Sequence, residues 1–215
     1  MTVDLLAAWL LSIMLSASPP GKSRRPAEAI ESADQGKARY AAIARAIAQV
    51  SLDPKEQPLY QGKQGRAQTA ALLLAISYHE STWRRHVDLG LGPRALGGGR
   101  YWCMMQIAVD PRKTAPGKTA ERKTAEGWTG RQLVQNRQRC FRAGLHILQR
   151  GKRYCGKRGG SSFINHYASG YCDRGSKAVA VRLRTYRRWL RKHPISSRPV
   201  PQPAPRRSQA GKASR

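Results

Sequence analysis

The chain has 215 residues and a mass of 23.9 kDa, enough for one domain or at most two. Its 40 Lys and Arg against 12 Asp and Glu give a net charge of +28, which excludes a neutral metabolic enzyme as the default reading and points to an anionic polymer, either nucleic acid or a cell envelope. A hydrophobic fraction of 40% excludes a wholly disordered chain, and no apolar run reaches the ~18 residues that a transmembrane helix needs.

Residues 5–18 form an apolar run that ends in the small residues Ser16, Ala17 and Ser18. Residues 1–18 are therefore read as a signal peptide or an N-terminal anchor helix. Asp4, the lack of any Lys or Arg before the run, and Pro19-Pro20 directly after it favour the other reading, a buried N-terminal helix. Residues 19–34 read as a linker. Over 36–50, Tyr40, Ile43, Ala44, Ile47 and Val50 recur at helical spacing. A polar loop from Leu52 to Gly65 leads to a second helix expected over 66–84. Residues 88–100 are too glycine-rich for helix and are expected to form a turn-laden loop or short hairpin. The pentads KTAPG, KTAER and KTAEG make 113–127 an inserted exposed loop. One long helix is expected from Gly130 to Arg150, a short one near 161–169 and a basic one near 176–192. The segment 193–215, rich in Pro, Ser and Arg, reads as a basic disordered tail. The fold class is mainly α with a small irregular or β patch near the middle, and 35–192 is the expected main folded domain.

Cys103, Cys140, Cys155 and Cys172 include no Cys-x-x-Cys pair, so no structural zinc site is expected. Their even number suits disulfides in an exported chain. The five histidines show no metal spacing with one another, and no metal or cofactor is expected.

Glu80 is the informative residue. It shares a helical face with Leu73, Ile76 and Trp83, the four residues lying at separations of 3, 4 and 3 along the chain. An acid on a face that should be buried is desolvated, which favours the protonated form that a general acid needs. The competing reading is a buried ion pair with Arg84, Arg85 or another arginine. His79, about 100° away on the helix, is read as a surface or supporting residue.

At this point the sequence resembles the lysozyme-like superfamily of lytic transglycosylases and goose-type lysozymes. In that superfamily an apolar helix ends in a catalytic Glu followed by Ser, and here the helix ends His79-Glu80-Ser81. A Gly-Leu-Met-Gln segment is similar to Cys103-Met104-Met105-Gln106. An Asn-to-Gly-to-Leu helix pattern is similar to Asn136, Gly144 and Leu148, and an Ala-Tyr-Asn-Ala-Gly segment to His166-Tyr167-Ala168-Ser169-Gly170. The likeness covers about residues 66–172. Cys103 stands where the family has glycine, and Ala168 where it usually has asparagine.

The resemblance implies a lysozyme-like α+β fold with the β patch beside the catalytic helix. It also implies a peptidoglycan-cleaving glycosidase with Glu80 as catalytic acid, and Gln106, Tyr167, Ser81 and Met105 at the substrate; Met104 and Met105 lie on the cleft wall or in the core. Asp88 is the second-acid candidate for a hydrolytic, goose-type reaction; Asp110 and Asp173 have no spacing argument behind them. With a single carboxylate the expected reaction is non-hydrolytic cleavage of the bond between N-acetylmuramic acid and N-acetylglucosamine. The expected disulfides are Cys103 with Cys140, which faces the cleft segment, and Cys155 with Cys172, which bracket the helix of Tyr167. The expected partners are peptidoglycan glycan strands and, through the basic surface, anionic envelope polymers. The chain is expected to be a monomer, either exported (periplasmic, envelope-bound or secreted) or phage-encoded and directed to the cell wall.

Two other functions compete. A nucleic-acid-binding protein rests on charge and on the segment Arg174 to Lys192, with eight basic residues and no acid. It lacks zinc-finger spacing, helix-turn-helix pattern and aromatic-basic interleaving, so nucleic acid is not expected as a specific ligand. The other is a catalytically silent cell-wall-binding or virion structural protein.

Overall fold

The computed structural model describes residues 1–21, 31–91, 100–109, 123–156, 162–173 and 177–195. Most of the linker, the glycine-rich stretch 92–99, Asp110, the first two pentads, Arg174 and the tail beyond Ile195 lie outside the described residues.

Among the described residues there are eight helices and one two-stranded sheet: α1 (Val3–Ala17), α2 (Ala33–Leu52), α3 (Gly65–Ser81), α4 (Arg85–Asp88), β1 (Tyr101–Trp102), β2 (Ile107–Ala108), α5 (Gly130–Gln135), α6 (Arg137–Cys155), α7 (Ser162–Ser169) and α8 (Lys177–Lys192). The chain is mainly α. The strands pair antiparallel, with Tyr101 opposite Ala108 and Trp102 opposite Ile107.

Helix α3 is the centre of the molecule. Every residue from Thr69 to Ser77 is buried, so the helix is covered on all sides, and α1, α2, α6 and α8 pack around it. The apolar run at the N-terminus is one of these covering helices. Leu6, Leu10, Ile13 and Met14, spaced at 4, 3 and 1, are fully buried, and α1 lies along α2. Trp9 Nε1 donates to the His193 carbonyl at 3.2 Å, and Arg45 pairs with Asp4 at 2.5 Å. The run is thus a helix packed against the rest of the fold. No helix among the described residues is long and apolar enough to cross a membrane.

Sequence signals set several helix ends. Ser32 and Gln35 form a capping box on α2, and Thr129 and Gln132 form one on α5. The helix expected over Gly130–Arg150 is broken in two, because Asn136 is extended (φ −135°, ψ 102°) and its side chain caps the backbone N–H of Arg139. The helix expected to end near residue 84 stops at Ser81, where Thr82 (φ 49°) and Trp83 (φ 50°) enter the left-handed region. Trp83 is fully buried, with Nε1 donating to Ser77 Oγ at 2.9 Å, which secures this turn.

Both disulfides have the expected pairing, Cys103–Cys140 and Cys155–Cys172. The first ties the β1–β2 turn to α6, and the second ties the end of α6 to the segment after α7. Gly144 on α6 allows the turn to approach. A Cβ there would lie 2.5 Å from Met105 Cε.

Candidate active site

Glu80 lies in the last turn of α3, where the helix dipole disfavours a carboxylate by about 0.3–1 kcal/mol. Arg182 on α8 supplies the compensating charge, its Nη2 donating to Glu80 Oε1 at 2.5 Å. The Glu80 side chain keeps 17% of its surface exposed, toward a cleft of about 510 Å³. Four segments supply the walls. The β1–β2 hairpin brings Tyr101, Gln106 and Ile107; α6 brings Ile147 and Arg150; α7 and the residues after it bring His166, Tyr167 and Gly170; α8 brings Arg182.

The cleft thus gathers Glu80, Gln106 and Tyr167 from three separate stretches of sequence. Gln106 adopts φ 47°, and Cys103 at the start of the same turn φ 57°. Left-handed backbone at a non-glycine residue costs of order 1 kcal/mol. Here the backbone N–H and the side-chain Nε2 of Gln106 both donate to the Cys103 carbonyl at 3.0 Å, and buried Met104 and Met105 with the disulfide fix the turn from behind. The amide is held by the protein before any ligand arrives.

Tyr167 donates its hydroxyl to the Met105 carbonyl. Burial pushes this phenol well above the usual tyrosine range, and the charge of Glu80 adds to the shift while Arg182 opposes it. Tyr167 therefore stays protonated and acts as a donor that locks α7 onto the hairpin.

Other expected site residues sit elsewhere. Ser81 is buried, donates to the Ser77 carbonyl at 2.8 Å and accepts from Trp83 N–H at 3.2 Å, so its hydroxyl serves the helix end and is not part of the cleft lining. Met105 is buried with its side chain against Gly144; only its carbonyl serves the site, through Tyr167. Asp88 is not in a loop across the cleft. It ends α4 with its side chain fully buried, takes Nε and Nη2 of Arg137 at 2.8 and 2.7 Å, and lies 3.9 Å from Arg39. Both carboxylate oxygens are committed to packing α4 against α6.

His79 supports α8, its Nε2 2.8 Å from Thr185 Oγ1. Burial lowers its pKa, and the charges of Arg182 and Arg188 lower it further. No group of three or more His, Cys, Asp or Glu among the described residues could hold a metal ion.

The structure has the ion pair of the competing reading, with Arg182 and neither Arg84 nor Arg85 as the partner of Glu80. Arg182 is the buried arginine of the basic helix, on the face of Val179, Thr185, Tyr186 and Trp189. That spacing was available in the sequence: Val179, Arg182, Tyr186 and Trp189 recur at 3, 4 and 3, which places one arginine on the apolar stripe. An arginine in such a place needs an acid. The other basic residues of α8, including Arg184, Arg187, Arg188 and Arg191, are exposed.

No family model, curated protein or solved structure matches this chain.

Proposed function

We propose that the chain cleaves peptidoglycan as a lytic transglycosylase with a lysozyme-like fold, using Glu80 first as acid and then as base. One observation carries the reading: among the described residues lining the Glu80 cleft, Glu80 is the sole carboxylate, and Asp173 lines the neighbouring cavity beyond His166 and Gly170. Hydrolysis with retention or inversion ordinarily needs two. Asp88, the expected second acid, has both oxygens engaged by Arg137 away from the cleft.

The geometry divides the work between the two oxygens of Glu80. A guanidinium has donors only, so Oε1 is an acceptor and the mobile proton belongs on Oε2. Oε2 gives that proton to the glycosidic oxygen as the bond from C1 breaks. The N-acetyl group of the substrate stabilises the oxocarbenium-like centre. The C6 hydroxyl of the same sugar then attacks C1 and returns its proton to Glu80, so the carboxyl ends as it began and no water is consumed. An oriented intramolecular hydroxyl competes well with water, since effective molarities reach about 10⁵ M. Arg182 stays paired with the carboxylate between the two proton transfers.

Further features support the substrate. Arg150 lines the cleft without an ion pair among the described residues, so a lactyl or peptide carboxylate has a cation to meet. Cys103, where the resembling motif has glycine, adopts the left-handed conformation that glycine favours. The exposed cations of α8 would hold the enzyme on an anionic envelope in a salt-dependent way. Two disulfides fit an exported protein.

Digestion of purified sacculi, followed by mass spectrometry of the released muropeptides, tests the reading. The expected products carry 1,6-anhydro ends, lighter than reducing ends by one water. Products with reducing ends alone would replace the reaction with hydrolysis, and no release by the wild type would remove the activity.

A further inference from the structure

Helix α8 has two faces of opposite character. Its buried face carries Val179, Arg182, Thr185, Tyr186 and Trp189. Arg182 reaches Glu80, Thr185 reaches His79, and the Trp189 ring packs on Trp83 and Tyr78 with centroids 5.9 and 5.6 Å away. Its exposed face carries Lys177, Arg184, Arg187, Arg188, Arg191 and Lys192, and the helix contains no acid. Residues four apart on a helix are neighbours, so Arg184 and Arg188, Arg187 and Arg191, and Arg188 and Lys192 set like charges side by side. Lys177 adds a cation at the end where the helix dipole is already positive. Each of these arrangements weakens the helix unless an anion lies along it.

The half of α8 that bears Arg182 is the less anchored one. Before Thr185 the buried residues are Val179 and Arg182. The C-terminal half buries Thr185, Tyr186 and Trp189, and just past its end the His193 carbonyl accepts from Trp9 Nε1. Repulsion along the exposed face therefore works against the contact that orients Glu80.

We propose that a phosphate-bearing polymer of the cell envelope lies along the exposed face of α8, and that its binding activates the enzyme by steadying the helix that brings Arg182 to Glu80. Guanidinium forks match phosphate oxygens, and a phosphodiester chain carries its charges in a line that a helix stripe can follow. The carboxylates of peptidoglycan sit on side branches. Nucleic acid fits less well, because Tyr186 and Trp189 face inward and leave no ring of α8 for a base to stack on. A lipid surface fits less well, because the apolar stripe that insertion needs is already buried. The activation rests on the reading of Glu80 as the acid; the binding does not.

Hydrogen exchange of the full-length protein, with inorganic polyphosphate as the probe, tests the binding without turnover. At low salt the amides from Val179 to Tyr186 should exchange more slowly with polyphosphate present, by about threefold or more, the size of relieving three like-charge helix pairs. With about three phosphate contacts, the affinity should fall roughly twentyfold between about 50 and 200 mM salt. Cleavage of a soluble muropeptide tetrasaccharide, which needs no tethering to a wall, tests the coupling. Polyphosphate should raise the wild-type rate by about threefold or more. Arg184→Gln with Arg187→Gln and Arg191→Gln removes the repulsion as the polymer would. This variant should begin with slow exchange and the stimulated rate, and gain nothing from polyphosphate.

Unchanged exchange at saturating polyphosphate, or a triple variant that still responds to it, overturns the docking face, while cleavage by the wild type would still uphold the catalytic reading. Tighter binding to single-stranded DNA than to polyphosphate of equal phosphate number would replace the envelope polymer with nucleic acid. Slower exchange with an unchanged cleavage rate overturns the coupling to Glu80. Slower exchange in a protein that cleaves nothing would uphold the docking face and remove both the catalytic reading and its regulation.

Discussion

Glu80 and Asp88 lie close in sequence, and each faces an arginine brought by a distant helix, yet the two pairs are built for opposite purposes. The Asp88 side chain has no exposed surface, and both of its oxygens are taken by the fork of Arg137, with Arg39 behind. The Glu80 side chain keeps 17% of its surface, offers Oε1 to Arg182, and opens to a cleft. A carboxylate with both oxygens bonded and no exposed surface is a structural tie. One with an uncommitted oxygen beside a cavity can exchange a proton with a ligand.

The largest effects should separate these roles. Asp88→Ala leaves Arg137 and Arg39 facing a buried void, and loss of one partner of a buried pair costs about 3–5 kcal/mol. Denaturant unfolding should show a loss of that size, while the specific activity of molecules that remain folded should stay near wild type. A stability change under about 1 kcal/mol would mean that the pair does not carry the α4–α6 contact. Glu80→Gln should do the reverse. It retains the shape and a hydrogen-bonding oxygen for Arg182 but has no proton to deliver, so sacculus clearing should fall at least about 10²-fold with little change in stability. A folded Glu80→Gln protein with most of its activity would return Glu80 to the structural class of Asp88.

Arg182 gives a smaller, sharper test. Arg182→Met removes the group that holds Oε1, so the carboxyl loses its orientation while the rest of the cleft stays in place. The expected outcome is a fall of about tenfold in kcat with KM nearly unchanged, since the lost interaction acts on the acid and not on bound sugar. Arg182→Lys restores the charge without the planar fork and should recover part of the loss. Equal losses in both parameters, or no recovery with lysine, would make Arg182 a packing residue.

The contrast between the two acids also shows what could be read from the sequence. Glu80 was legible because local periodicity placed an acid among Leu73, Ile76 and Trp83, and period is a property of a few adjacent residues. Most of the helices and their approximate ranges followed from the same signal, and the disulfide pairing from which helix faces meet. The partner of Glu80 was harder to see. Arg182 is 102 positions away, and the competing arginines Arg84 and Arg85 are close in sequence but follow the left-handed turn at Thr82 and Trp83 that ends α3. Asp88 was misplaced for a related reason: glycines from Gly90 onward mark a loop, but the residues just before them close a short helix. Asn136 is expected inside one long helix, as the start of the Asn-to-Gly-to-Leu pattern, although asparagine is a preferred N-cap, and its cap splits α5 from α6. Ser81 lay beside the acid in sequence, but adjacent residues on a helix do not share a face.

The smallest expected effect concerns a third set of charges, which joins α6 to two loops. His146 bridges Glu126 through Nδ1 at 2.9 Å and Glu56 through Nε2 at 3.1 Å. Arg142 also reaches Glu56 and Asp53, and Gln149 reaches Glu56. Burial alone would raise the Glu126 carboxyl, but hydrogen bonds from His146 and Thr124 outweigh it and bring it down to about 2. His146 is raised above its ordinary value of 6.5, chiefly by the bond to Glu126, with burial opposing and Glu56 assisting. The signs set a window. The stabilisation from Glu126 is complete above its ordinary value near 4.5 and fades as pH falls toward 2. That from His146 is complete below 6.5 and fades as pH rises through its raised folded value. The bridge should therefore be strongest between pH 4.5 and 6.5. Thermal unfolding across pH should show His146→Gln less stable than wild type by about 1 kcal/mol inside that window, the scale of a partly exposed ion pair. The two proteins should converge above it, as His146 loses its proton in the wild type. A difference that persists unchanged into the alkaline range would show that His146 holds the 123–129 segment by packing, and that its charge contributes nothing.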